Sequence, residues 1–137
     1  MWRLGAVTAL VVVLSGCGVG TPPAYTELSA EQTSSDRLPD GYEHQDGIDE
    51  DSVRLVGTHD DNDYYLARFS DTNTKNGVCI LVVPAESPQT GYRACSGGGE
   101  LTTHMNGQRA VRYLPPGSPE IEHDDWIRLS DNLVLLS

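Results

Sequence analysis

Val78-Cys79-Ile80-Leu81-Val82-Val83 is an unbroken apolar run, followed by Pro84-Ala85-Glu86-Ser87-Pro88-Gln89 and then by Thr90-Gly91-Tyr92-Arg93-Ala94-Cys95. A short apolar run bounded by turn formers reads as a strand buried on both faces, because a half-buried strand would alternate and a helix would run longer. The connector carries two prolines and a serine and reads as a turn, with residues 90–95 as the returning strand. In an antiparallel hairpin centred on Ser87, Cys79 and Cys95 lie equally far from the turn and face each other directly. Opposed cysteines of this kind fall within disulfide range, and closing the intervening loop would contribute on the order of 3 kcal/mol. A redox-active pair is the poorer reading, since there is no Cys-x-x-Cys spacing and no evident activating base.

Outward from this hairpin the same grammar repeats. Short β-type runs occupy residues 53–57, 63–69, 78–83, 90–95, 100–104, 108–114, 125–129 and 133–136. Strands recurring about every ten residues, separated by turns, predict a mainly β domain: a small antiparallel meander folded as a sandwich or rolled barrel. Asn106-Gly107 is the strongest short hairpin signal, and Asn76-Gly77 and Asp131-Asn132 also mark turns. Ahead of the strands, Ser29 with Gln32 fits a capping box and predicts a short helix over about residues 30–36, ended by Pro39. Residues 40–51 hold Asp40, Glu43, Asp46, Asp49, Glu50 and Asp51 and read as an exposed acidic loop.

At the N-terminus, Arg3 precedes an apolar stretch from Leu4 to Leu14, which ends in Leu14-Ser15-Gly16-Cys17. The charge followed by a short apolar core is the layout of a secretory signal peptide, too short to cross a bilayer as a permanent helix. Leu-Ser-Gly-Cys resembles the bacterial lipobox, which implies that Cys17 carries a diacylglyceryl group and begins the mature chain. Two acyl chains hold a protein stably at a membrane where one holds it marginally. The predicted organisation is therefore a lipoprotein signal peptide over 1–16, a lipidated cysteine with flexible tether, short helix and acidic loop over 17–51, and a single β domain over 52–137. With Cys17 committed to lipid, the other two of the chain's 3 cysteines form an even pair in an oxidising compartment.

The 137 residues carry 20 Asp and Glu against 9 Lys and Arg, for a net charge of −11. Nucleic-acid binding needs clustered cations to neutralise phosphate, and attachment to anionic headgroups needs a polybasic segment; neither is present. The predicted partner list is thus the membrane, through the anchor, together with an envelope protein or polymer, and no nucleic acid.

Candidate chemistry is sparse. His59-Asp60-Asp61 recurs as His123-Asp124-Asp125. Two imidazoles and several carboxylates brought together would suit a divalent cation, whereas each triplet taken alone is a polar turn ahead of a strand. Neither the stretch from Asp61 nor that from Asp71 has its oxygen ligands and glycine at EF-hand spacing. No Gly-x-Ser-x-Gly elbow or phosphate-binding loop occurs, and His104 reads as a solvated histidine in a strand edge or turn. No cofactor is called for. Arg54, Arg68, Arg93, Arg109, Arg112 and Arg128 all fall within predicted strands. On one sheet face they would form an anion- or partner-binding surface; in simple alternation each would sit on the solvated side and pair with nearby carboxylates.

The whole-chain layout resembles small bacterial lipoproteins of actinobacterial type. The resemblance rests on Leu14-Ser15-Gly16-Cys17, Asp36-Arg37-Leu38-Pro39, Ser52-Val53-Arg54-Leu55-Val56-Gly57, Tyr64-Tyr65-Leu66-Ala67-Arg68, Gly77-Val78-Cys79 and Trp126-Ile127-Arg128-Leu129-Ser130-Asp131-Asn132. It implies an outer-face, lipid-anchored location and an extracytoplasmic domain, and it carries over no catalytic residue. The expected function is a non-enzymatic binding module. The alternative is a secreted hydrolase or metal-dependent enzyme in which His59 and His123, or His104 with carboxylates, converge.

Overall fold

A computed structural model describes residues 26–43, 46–97, 99–105, 107–118 and 124–136. Cys17, with all of residues 1–25, lies outside the described residues, as do Asn106 and His123. Among the described residues, eight strands form two antiparallel sheets. The first sheet, in spatial order β1-β2-β3-β4, contains β1 (Arg54–His59), β2 (Asn62–Phe69), β3 (Gly77–Pro84) and β4 (Tyr92–Ser96). The second, in order β5-β6-β8-β7, contains β5 (Leu101–Thr103), β6 (Val111–Tyr113), β7 (Ile127–Arg128) and β8 (Leu133–Leu135). The mainly β expectation holds, as two sheets sharing a core and not as a closed barrel.

The register of the decisive hairpin follows from the turn. Val82 pairs with Tyr92, Leu81 with Arg93 and Cys79 with Cys95, so each pair is centred on Ser87. Cys79 and Cys95 form a disulfide with Cα atoms 4.0 Å apart, joining the central strand to the edge strand. Their connector differs from a plain turn: Pro88–Thr90 form a 3₁₀ turn, so β4 begins at Tyr92 and not at Thr90. The β1–β2 connection is a two-residue turn at Asp60 and Asp61, with φ of 47° and 58°. Positive φ at both central positions is the type I′ pattern, whose twist matches that of the strands it joins.

Strand β3 is buried along its whole apolar run because both of its faces are covered. Val78, Ile80 and Val82 point toward the second sheet and cluster with Tyr64, Leu66, Val111, Tyr113, Leu133 and Leu135. Cys79, Leu81 and Val83 point the other way and cluster with Tyr65, Ala67, Tyr42 and Val53. Successive side chains of a strand alternate between faces, so a continuous apolar run implies two cores and not one.

The second core is closed by a segment ahead of the strands. Residues 36–43 and 46–53 lie across the outer face of the first sheet as a strap. They run from Asp36 beside Leu55 up to Tyr42 beside Gly91, then back to Ile48, which bridges Phe69. Two glycines permit this close packing. A Cβ on Gly91 would lie 2.8 Å from the Tyr42 ring and 3.0 Å from the Val82 carbonyl; one on Gly47, whose φ is 89°, would lie 2.6 Å from the Phe69 ring.

Two expectations for this region are corrected. The helix over residues 30–36 does not form. The chain makes one helical turn, α1 (Thr26–Ser29), and a 3₁₀ turn at Ser34–Asp36. The capping box belongs to Thr33 and Asp36, because the Gln32 amide is taken by the carbonyls of Glu50 and Val53. Nor do residues 26–43 and 46–51 behave as tether and free loop: Leu28 enters the inter-sheet core, and Tyr42 and Ile48 pack on the outer face. Asp40, Glu43, Asp46, Asp49, Glu50 and Asp51 do face solvent. Among the described residues no helix is long and apolar enough to cross a membrane.

Candidate functional site

The sandwich has two poles. At one lie the β1–β2 turn, the end of β3, the start of β4, the β5–β6 connection and the end of β8; at the other lie the start of β1, the β2–β3 connection and the turn before β8. The first pole carries a cleft of about 900 Å³. Asp60, Asp61 and Asn62 form one wall, Pro84, Glu86, Ser87 and Thr90 a second, and Gln108 to Ala110 with Leu136 a third. This size is at the upper end of the range for small-molecule sites.

The walls are held by backbone hydrogen bonds. Ala85 N donates to Asp61 O at 2.9 Å, tying the connector to the hairpin turn, and Thr90 N donates to Ser87 O at 2.9 Å inside the 3₁₀ turn. Leu136 N donates to Ala110 O at 2.8 Å and joins the third wall to the end of β8. Asn62, 9% exposed, donates from its side-chain amide to the Asp60 carbonyl at 3.0 Å. Tyr42, from the strap, backs the connector at Gly91.

The polar content of the cleft is mainly acceptor. Asp60 Oδ2 sits 3.3 Å from His59 Nε2 and 3.5 Å from Arg109 Nε, so the single guanidinium of the lining is already engaged. Asp61 and Glu86 add two more carboxylates. The Oε1 atom of Gln108 is shut off from solvent and has no hydrogen-bond partner among the described residues. Burial raises the Tyr64 hydroxyl above its ordinary range, and Asp60 reinforces that shift; Arg109 and the Asn62 side chain oppose it. Tyr64 is therefore a neutral wall at physiological pH. Such a lining suits a ligand that brings hydrogen-bond donors, and disfavours phosphate or other anions.

The candidate residues from the sequence separate under this geometry. His59, Asp60 and Asp61 are the end of β1 and its I′ turn, which accounts for that triplet as hairpin chemistry. Asp124 and Asp125 are exposed ahead of β7, and His123 lies outside the described residues. Among the described residues no three His, Cys, Asp or Glu gather as a metal-holding group. His104 is exposed just after β5.

Of the two readings of the arginines, the structure does not gather all six on one face. Arg54 binds the segment ahead of the strands, donating to the carbonyls of Ala30, Asp51 and Val53. Arg93 donates to Asp46 O and lies over Phe69 at 5.5 Å, on the strap side of the first sheet. Arg68 is exposed on β2. Arg109 lies outside the strands, at the cleft. Arg112 pairs with Glu100 at 3.4 Å and lies over Trp126 at 5.2 Å, while Arg128 donates to Asp131 O. Arg112 and Arg128 do sit in one row of the second sheet, both opposite Val134.

Three of the lining residues are sequence-derived candidates, Asp60 and Asp61 for a cation and Arg109 for an anion or partner surface, but the cleft that joins them is not. Glu86 and Ser87 are turn residues in the sequence reading. Only the strand order, which sends the turns after β1, β3 and β5 to one pole, brings them together. Compared with protein-family models, curated proteins and solved structures, the chain matches none.

Proposed function

We propose that this chain is a lipid-anchored extracytoplasmic binding module that holds part of an envelope protein or polymer in the cleft at its loop pole. The anchoring half rests on the sequence, where Leu14-Ser15-Gly16-Cys17 closes a signal-peptide-like stretch. The binding half rests on one observation: a cleft of about 900 Å³ whose three walls come from separate connections, each held by backbone hydrogen bonds. Loops carried on a rigid β scaffold are the usual place for recognition. The acceptor-rich lining selects for ligands that donate.

Mass spectrometry of the mature N-terminus tests the anchor. A diacylated Cys17 in the wild type and a membrane-free Cys17→Ala variant are expected; an unmodified Cys17 thiol in a membrane-free wild type sinks the anchor. Differential capture from the native envelope tests the cleft. The expected partner is retained by wild type and lost by Asp61→Arg/Glu86→Arg, two substitutions at exposed positions. Equal retention by both proteins would move the binding site elsewhere.

A further inference from the structure

We infer that the cleft opens away from the anchoring membrane, so that its ligand is a polar, donor-bearing component of the aqueous envelope and not a lipid headgroup. This rests on the reading of Cys17 as the anchor. It follows from which pole receives the N-terminal segment. Residue 26, the first described residue, lines a hollow with Leu114, Pro115, Asp131 and Asn132, all at the pole opposite the cleft. Three further contacts fix the segment there. The Glu27 carboxylate accepts from Asn132 N at 3.2 Å, Leu28 enters the core between the sheets, and the Ala30 carbonyl accepts from Arg54 at the start of β1.

The sandwich is long enough for this to matter. Strand β3 has 8 residues and runs from one pole to the other, about 25 Å at the ordinary strand rise. Eight residues lie between Cys17 and Thr26, and the nine steps across them reach at most about 30 Å when fully extended. For the cleft to be the end nearest the bilayer, that whole segment would have to lie stretched along the side of the domain. Any shorter path keeps the opposite pole at least as near the lipid as the cleft. The chemistry of the cleft agrees: three carboxylates beside one already paired arginine would repel an anionic headgroup.

Energy transfer from the lipidated protein to acceptor lipids in phosphatidylcholine vesicles decides the question. Donor dyes are placed at Gln89→Cys, exposed in the β3–β4 connector beside the cleft, or at Asp131→Cys, exposed at the opposite pole. Transfer is expected to be stronger from position 131 than from position 89. Equal transfer, from a domain lying flat, would overturn the inference, as would stronger transfer from position 89. Failure of the wild type to float with vesicles would instead overturn the anchor, and the orientation with it.

Discussion

Asp36 shows how one carboxylate ties the strap to the sheet. It is 8% exposed, and its two oxygens accept from Thr33 N, the Thr33 hydroxyl and Leu55 N. Burial works to raise its pKa; the hydrogen bonds from Thr33 and Leu55, helped by Arg54, outweigh it and hold the carboxyl below its ordinary 3.8. A lowered pKa in the folded state gives stability that is complete above 3.8 and is lost as pH falls through the lower folded value. Denaturant midpoints measured across that acid range should fall in the wild type and fall less steeply in Asp36→Asn. At neutral pH the same variant should lose about 2–3 kcal/mol, since an amide cannot accept from all three donors. The tyrosines behave oppositely in alkali. Burial pushes Tyr65, aided by Asp63 and Asp36, and Tyr92, aided by Tyr64, up to about 12. Stability held below pH 10 should therefore drain away between pH 10 and 12, and tyrosinate absorbance should rise together with unfolding and not ahead of it. The Cys79–Cys95 link should contribute about 3 kcal/mol. Reductant should lower the wild-type denaturation midpoint and leave that of Cys79→Ala/Cys95→Ala unchanged.

At the scale of the element, the β1–β2 hairpin makes its turn from two aspartates where Asn-Gly would be the favoured pair. Asp61 at φ 58° bears the left-handed conformation with a Cβ, at a cost of about 1 kcal/mol that glycine avoids. Asp61→Gly should raise the thermal midpoint by an amount corresponding to at most that figure, while Asp60→Gly should gain less because it also removes the contacts to His59 and Arg109. The elements were legible to different degrees, for physical reasons. All eight strands occur where the runs place them, because alternation and unbroken apolar runs are local consequences of facing one core or two. The short helix was misplaced because its apparent capping residue, Gln32, bonds to carbonyls 18 and 21 residues away. The acidic loop concealed Tyr42 and Ile48, two apolar residues among six carboxylates, which together lay the strap on the sheet. The cleft was illegible for a further reason: it belongs to no element, and its walls meet only once the strand order of both sheets is known.

The strap decides how much of the chain is needed for folding. The pattern of strands alone suggests that residues 52–137 form a self-sufficient domain. In the structure, the outer face of the first sheet presents Tyr65, Ala67, Leu81 and Val83, and their cover is Leu38, Tyr42, Ile48 and Val53. Uncovering several such side chains costs about 1.5–3 kcal/mol for each one fully exposed. Losing the Asp36 and Arg54 attachments adds to that, because Leu55 N and the Arg54 guanidinium lose their partners. Together these losses are comparable with the roughly 5–15 kcal/mol that holds a small domain folded. The exposed strip would also be an apolar patch of the kind that drives association. A fragment starting at residue 54 is therefore expected to be unfolded or aggregated, whereas one starting at residue 26 should unfold cooperatively with the stability of the longer chain. Circular dichroism with size-exclusion chromatography on the two fragments separates these outcomes, and a monomeric, folded 54–137 would refute the role given to the strap. The same strap reaches from the pole where the N-terminal segment enters to Gly91, which follows Thr90 of the cleft wall. Tyr42→Ala should thus loosen a feature about one strand length from that entry. Amide hydrogen exchange should speed up at Thr90 and Gly91, whose protecting bonds run to Ser87 and Pro88, while the amides of β6 and β8 in the other core keep their wild-type rates.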